Sequence, residues 1–395
     1  MTRYEDALHE CDTAISMEPK NADYHAEKAY LYRMASNNED ALKEINIAIA
    51  ASPKNEYHLE KGLILTNLKK PQEALSEYDL VIKADPNNAV FRSYKAVSLS
   101  DISRFDDAVK ESSEAIRLDP KNPEYHFIKG NILYSAGRPE EASKEYQDAI
   151  AINPNNATYH YNAGKAMQDR GKFDQALEEY EKAIKLDPDN AEYHFSQASS
   201  LLKQRKTKDA MKKLDDAIAL DSSNAAYHYE KATALLRQRQ YDESLKEFDA
   251  AILLDSKNSK YHREKAAAYS EMEMFDQALE EFDKAIDIEP EIVDYRRDKA
   301  SLLLELSRHE EAVKTIEDLL KIKSGYPDIW VTYAEALTYA RGQKDGIEGL
   351  YKGIRGKSVT PKQLCEAVSD QLKKDSPQSV KQMFIQYYRE NCDKK

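Results

Sequence analysis

A repeat of 34 residues is the feature of this chain that leaves least freedom to its fold. The stretch from Ala157 to Asn190, ATYHYNAGKAMQDRGKFDQALEEYEKAIKLDPDN, has close copies before and after it at that interval. Its opening Tyr-His returns at Tyr125-His126, Tyr193-His194, Tyr227-His228 and Tyr261-His262, and its closing Asp-Pro at Asp85-Pro86 and Asp119-Pro120. A period between about 20 and 50 residues marks units that cannot bury an apolar face alone and must stack on their neighbours. Stacking adds length in one dimension, so 395 residues can form one array without exceeding the limit of a single globular core.

Numbering each unit from the equivalent of Ala157 exposes the packing scheme. Position 8 is small in nine successive units: Ala29, Gly62, Ala96, Gly130, Gly164, Ala198, Ala232, Ala266 and Ala300. Position 20 is equally small, running Ala41, Ala74, Ala108, Ala142, Ala176, Ala210, Ser244, Ala278 and Ala312. Two small residues on two helical segments let the backbones approach closely, and larger ones at positions 11, 24 and 28, such as Leu133, Tyr146 and Ile150, fill the space around them. The predicted unit is a helical hairpin with a turn near positions 15 to 17, where Gly137, Gly171 or polar residues stand. Proline at position 32 ends the second helix, because it cannot continue the backbone hydrogen bonding.

The period, the paired small residues, the recurring aromatics and the closing proline together resemble the tetratricopeptide repeat. The resemblance covers nearly the whole chain and implies an all-α, right-handed superhelical solenoid of stacked antiparallel helix pairs. Where the family favours Trp at position 4, this chain has His25, His58, His126, His160, His194, His228 and His262, with Arg92 and Arg296 in the gaps. Position 3 is Tyr in eight units and Phe91 in the ninth, and position 7, usually Leu, is Lys in seven, including Lys129, Lys231 and Lys265. Positions 3 and 7 lie one helical turn apart, so the Lys stem is expected to lie along the Tyr ring and carry its charge to water.

The expected organisation follows. Residues 1–21 form a half repeat, matching only a second helix, with Ala7 at position 20 and Pro19 at position 32. Residues 22–326 hold nine repeats, with one residue deleted between Pro53 and Tyr57, and 327–360 a divergent tenth with Trp330 at position 4, Ala334 at 8, Gly346 at 20 and Gly353 at 27. Residues 361–395 read as a degenerate pair capping the array. Thr360-Pro361-Lys362-Gln363 and Ser376-Pro377 are helix-start signals, and Leu364, Val368, Leu372 and Val380, Met383, Phe384, Tyr387, Tyr388 form two apolar stripes. A start in mid-repeat suggests a fragment of a longer protein or a face that another chain covers.

Charge and cysteine usage narrow the partners. With 58 Lys plus Arg against 71 Asp plus Glu, the net charge of −13 gives no overall attraction to nucleic acid or anionic membranes. Cys11, Cys365 and Cys392 make no CxxC pair and no zinc spacing, so they read as thiols in a reducing compartment. The N-terminal MTRYEDALHE lacks an apolar signal core and no apolar run approaches 18 residues, so a cytoplasmic location is expected.

Catalytic readings find little support. Successive histidines stand a helix-packing step of about 10 Å apart, too far to share one zinc with bonds of about 2 Å. They therefore read as packing groups, with a modest loss of stability below neutral pH if the rings are buried neutral. Gly356-Lys357-Ser358 lacks the earlier Gly of a phosphate loop, since Tyr351 stands there. Gly346, Gly349, Gly353 and Gly356 read as a close-packing stripe instead. No nucleophile triad can be argued from spacing, so the chain reads as non-catalytic, with no cofactor and no bound metal.

The surface of the first helices is the candidate site. In the family these helices line a concave surface, which positions 2, 5, 9, 12 and 13 commonly face. Position 5 runs Ala26, Leu59, Ser93, Phe127, Tyr161, Phe195, Tyr229, Arg263 and Arg297: four successive rings, then two arginines. Tyr134, Leu202 and Leu236 flank them at position 12, Asn131 and Lys165 at position 9, and Lys260 at position 2. Rings give contact area at low entropy cost and polar groups fix register. The expected function is a protein–protein adaptor that holds an extended partner segment in this groove, with acidic residues near Arg263 and Arg297. The family's clamp for a chaperone C-terminal carboxylate would need Lys where Phe127 stands, which argues against that ligand. Two alternatives are a regulatory arm of a larger enzyme and self-association through the N-terminal half repeat.

Overall fold

The computed structural model describes residues 2–374 and 377–392, and its secondary structure there is helical throughout, in 23 helices. The chain divides into two compact units, Met1–Leu220 and Asp221–Lys395. The first opens with the helix Thr2–Met17 and continues with six helix pairs, from Ala22–Met34 with Asn38–Ala51 to Ala191–Lys203 with Thr207–Leu220. The second holds four pairs, from Ala225–Arg237 with Tyr241–Leu254 to Pro327–Arg341 with Gln343–Arg355, followed by Pro361–Leu372 and Gln378–Asn391. Within each unit the two helices of a pair pack on each other, and through the repeats each second helix packs on the first helix of the next pair in that unit. No helix among the described residues is long and apolar enough to cross a membrane.

Local chemistry sets the helix ends. Asn at position 34 caps the following helix: the side chains of Asn21, Asn88, Asn122, Asn156, Asn190 and Asn224 each accept a backbone N–H of the first turn. At position 15 the turn needs a left-handed residue in all nine repeats. Gly137 and Gly171 supply it at φ of 72° and 70°, while Ser36, Lys69, Ser103, Arg205, Arg239, Glu273 and Ser307 adopt it at φ of 57° to 62°.

The small-residue scheme has a finer rule inside it. Wherever position 8 is Gly, position 24 is Tyr: a Cβ on Gly62, Gly130 or Gly164 would stand 2.6, 2.5 or 2.7 Å from the ring of Tyr78, Tyr146 or Tyr180. The hydroxyls tether those rings, to Thr66 at 3.0 Å, Asn131 at 2.9 Å and Gln168 at 3.1 Å. Where position 8 is Ala232 or Ala266, position 24 is Phe248 or Phe282, a ring with no tether. Gly164→Ala is therefore expected to cost about 2 kcal/mol through overpacking, and Tyr180→Phe added to it to recover most of the loss. Denaturant titration of the single and double variants checks both halves.

The C-terminal region corrects two expectations. Gly346, Gly349 and Gly353 form the close-packing stripe, with a Cβ at Gly353 falling 2.8 Å from the Trp330 ring, but Gly356 is exposed at the helix C-cap. Gly356-Lys357-Ser358 thus follows a helix end, where carbonyls rather than N–H groups are left over, the wrong polarity for phosphate. Thr360 makes a full capping box with Gln363, whereas the last helix starts at Gln378 after Pro377, and the Ser376 signal lies outside the described residues. Cys365 and Cys392 are not thiols but a disulfide joining the last two helices, whose packing brings their Cα atoms to 5.7 Å. A separation of 27 residues carries no hint of that pairing, and only Cys11 is free. Leu364, Val368, Val380, Met383, Phe384 and Tyr387 share one core with Trp330, Ala334, Leu337 and Leu350.

Candidate functional site

In the first unit, Phe127, Tyr161 and Phe195 occupy equivalent sites on successive first helices, and all three are half-buried. The Phe127 ring centroid lies 4.9 Å from Tyr159 of the next repeat and 5.8 Å from Tyr146 of its own. Tyr161 repeats the pattern, with Tyr193 at 4.9 Å and Tyr180 at 6.0 Å, and its hydroxyl donates to Glu192 at 3.0 Å. Each of these two rings packs between neighbouring repeats while leaving part of itself at the surface. Beside them the Lys165 ammonium lies 5.8 Å from the Tyr134 ring centroid and 5.5 Å from that of Tyr161. The Tyr134 hydroxyl donates to Asp169 at 2.5 Å, and burial together with that carboxylate pushes it up to about 12. Asn131 accepts from the Tyr146 hydroxyl at 2.9 Å, and Leu202 is half-buried on the same series of helices.

In the second unit, Tyr229 is half-buried, 5.0 Å from Tyr261 and 6.2 Å from Phe248, with the exposed Lys260 ammonium 4.6 Å from its ring centroid. Leu236, at position 12 of the same helix, is half-buried as well. The two arginines are not free. Arg263 donates to Asp298 at 2.7 Å and to Glu264 at 3.3 Å, and Arg297 to Asp294 at 3.1 Å. Glu264 and Asp298 come from position 6, which the sequence reading leaves out of the face.

The histidine row belongs to an ion-pair network that sequence reasoning misses. The Nδ1 of position 4 faces a carboxylate at position 23 of the same repeat: His25–Glu44, His58–Glu77, His160–Glu179, His228–Glu247 and His262–Glu281 at 2.6 Å, and His126–Glu145 at 2.8 Å. Arg92 does the same to Glu111 at 2.9 Å. In His25 and His160 the other ring nitrogen faces the carbonyl of Pro19 at 3.1 Å or Pro154 at 2.9 Å. Each ring thus faces two acceptors, and the Arg92 guanidinium, which only donates, reaches the matching pair, Glu111 and the Pro86 carbonyl.

The position-7 lysines point inward rather than to water. Lys28, Lys61, Lys95, Lys129, Lys231 and Lys265 reach the same position-23 carboxylate at 2.7 to 3.2 Å. Lys28, Lys95 and Lys265 also reach Asp12, Asp79 and Asp249 of the preceding repeat, so the network ties repeats together. The signal was available: Glu at position 23 accompanies His or Arg at position 4 in seven repeats. His126, Glu145 and Asp148 bring three potential metal-ligand atoms within 4.8 Å of one another. Lys129 occupies the second oxygen of Glu145, and the same His–Glu pair recurs without a third carboxylate, so the group reads as one more ion pair.

Stacked helix pairs with a patterned first-helix surface define the class of helical-repeat scaffolds. The chain matches the description "TPR repeat" over residues 130–170 and "Tetratricopeptide repeat" over residues 1–56, 35–89, 161–225, 195–261, 229–271 and 263–327. It belongs to the tetratricopeptide repeat family, and is a scaffold for protein–protein interaction. No curated protein matches it. Among solved structures it is similar to YrrB, titled a TPR protein with an unusual peptide-binding site, at 25% identity over 45% of this chain and 92% of that one, with a TM-score of 0.40. It is similar to yeast Tom70 at 13% identity over 94% of this chain and 95% of that one, with a TM-score of 0.44, and to MamA at 23% identity over 41% and 94%, with a TM-score of 0.39.

Proposed function

We propose that the chain holds an extended segment of a partner protein along the surface of its first helices. The observation that carries this reading is the run of half-exposed rings at one site in successive repeats, with Lys165 seated between Tyr134 and Tyr161. A step of about 10 Å between rungs equals three residues of extended or polyproline chain at about 3.1–3.5 Å each. The ligand then offers an apolar side chain at every third residue along repeats four to six.

Selection of a displayed random-peptide library on the purified chain tests this. Enriched peptides are expected to show the three-residue apolar period and to lose about tenfold or more in affinity when Lys165→Glu and Tyr134→Ser are combined, with circular dichroism unchanged. Enrichment no greater than on a blank surface, or ligands indifferent to that variant, overturns the reading.

A further inference from the structure

The first helices of the eighth and ninth repeats, Ser259–Glu271 and Val293–Glu305, enclose a cleft of about 350 Å³ in the second unit. Its apolar lining includes Phe282, Leu302 and Ala267, and its rim carries Glu264, Glu271, Asp298 and Glu305 against the single cation Arg263. That guanidinium is already shared between Asp298 and Glu264. Glu271 and Glu305, both exposed, have no cationic partner among the described residues. They occupy the same position, 13, in consecutive repeats, where earlier repeats carry Met34, Asn67, Asp101, Ser135, Asp169, Lys203 and Arg237.

We infer that this cleft takes a basic segment of a partner protein, in which two arginine or lysine residues stand three apart. The inference rests on the peptide-binding reading above and reverses the charge expected from the sequence, because the arginines there are neutralised by their own neighbours. Apolar lining with an acidic rim suits a long cationic side chain, whose methylene stem covers Phe282 and Leu302 while its head meets a carboxylate. Equivalent carboxylates one rung apart, about 10 Å, match cations at i and i+3 of an extended chain at about 3.1–3.5 Å per residue.

Fluorescence anisotropy with three labelled peptides of one length tests the assignment: arginines at i and i+3, arginines at i and i+2, and glutamates in place of both. The first is expected to bind tightest and the glutamate peptide not at all. Each of Glu271→Gln and Glu305→Gln is expected to weaken the first by about tenfold, the range of a charge-assisted hydrogen bond. Asp242→Asn with Glu243→Gln, an exposed acidic pair on a second helix, controls for the general attraction of an acidic chain and is expected to change binding little. Equal loss in that control, or tighter binding of the glutamate peptide, overturns the inference. A library selection that enriches peptides insensitive to both glutamate variants sinks this assignment but leaves the extended-segment reading standing, whereas a selection that enriches nothing sinks the extended-segment reading itself.

Discussion

Glu281→Gln is expected to destabilise the second unit by about 3 kcal/mol, the scale on which a buried ion pair fails when one partner is removed. The Glu281 carboxylate is 4% exposed and accepts from His262 at 2.6 Å, Lys265 at 3.2 Å and Lys284 at 3.1 Å. Burial alone would push this carboxyl up, but the hydrogen bonds from His262 and Lys284 and the charge of Lys265 outweigh it and hold the group at about 2. The amide keeps the shape and removes the charge, leaving the buried Lys265 only Asp249 as a carboxylate partner. Native-state hydrogen exchange across repeats seven to nine is the appropriate measurement, since a repeat array need not unfold in one step. Glu280→Gln, at an exposed neighbouring position, is expected to have little effect. Equal protection in both variants would falsify the central role given to Glu281.

The same group fixes the sign of the acid response. A carboxyl whose folded pKa is depressed contributes its full stability above its ordinary value near 4.5 and loses it as pH falls toward about 2. Glu179 and Glu247 are held below the usual carboxylate range in the same way, against burial, by His160 with Lys182 and by Lys231 with His228. Unfolding of wild type is thus expected to set in below about pH 4.5, with a shallower acid limb in Glu281→Gln. A transition centred near neutrality in wild type would contradict the assignment of the acid response to these carboxylates.

Much of this architecture is legible in the sequence because a repeat states each rule many times. The period, the small residues at positions 8 and 20, the turn near positions 15 to 17 and the stop at Pro are each set within one unit. Contacts between side chains of opposite character are harder to read. His160 and Glu179 lie 19 residues apart on two helices, and only the hairpin geometry brings Nδ1 and carboxylate together. The Arg263–Asp298 pair spans two repeats, so a position-by-position reading of one face sees a free cation where the fold makes a neutral pair. Cys365 and Cys392 belong to the region where the repeat has decayed, and there no periodicity remains to predict their approach.

The sixth repeat is where the network rule is broken, and repairing it is expected to stabilise the first unit. Position 23 there is Lys213 instead of Glu and position 7 is Gln197 instead of Lys. His194 Nδ1 and Gln197 Oε1 are left without hydrogen bonds, in residues 7% and 8% exposed, and a carboxylate oxygen of Asp216 stands 3.6 Å from the ring nitrogen. An orphaned buried polar group costs about 1–3 kcal/mol. Lys213→Glu with Gln197→Lys recreates the set that the fourth repeat already tolerates, His126, Glu145, Lys129 and Asp148, with Asp216 in the place of Asp148. Gains from two satisfied groups, offset by the desolvation of two new charges, leave about 3 kcal/mol of expected stabilisation for the double variant. Lys213→Glu alone should recover the His194 contact but not that of Gln197, and so a smaller part of the gain. Chemical denaturation followed by hydrogen exchange in the helices Ala191–Lys203 and Thr207–Leu220 reads the effect where it arises. A double variant no more stable than wild type would mean that solvent or a neighbouring side chain already serves these two atoms, and that the network's worth elsewhere lies in joining repeats rather than in satisfying the ring.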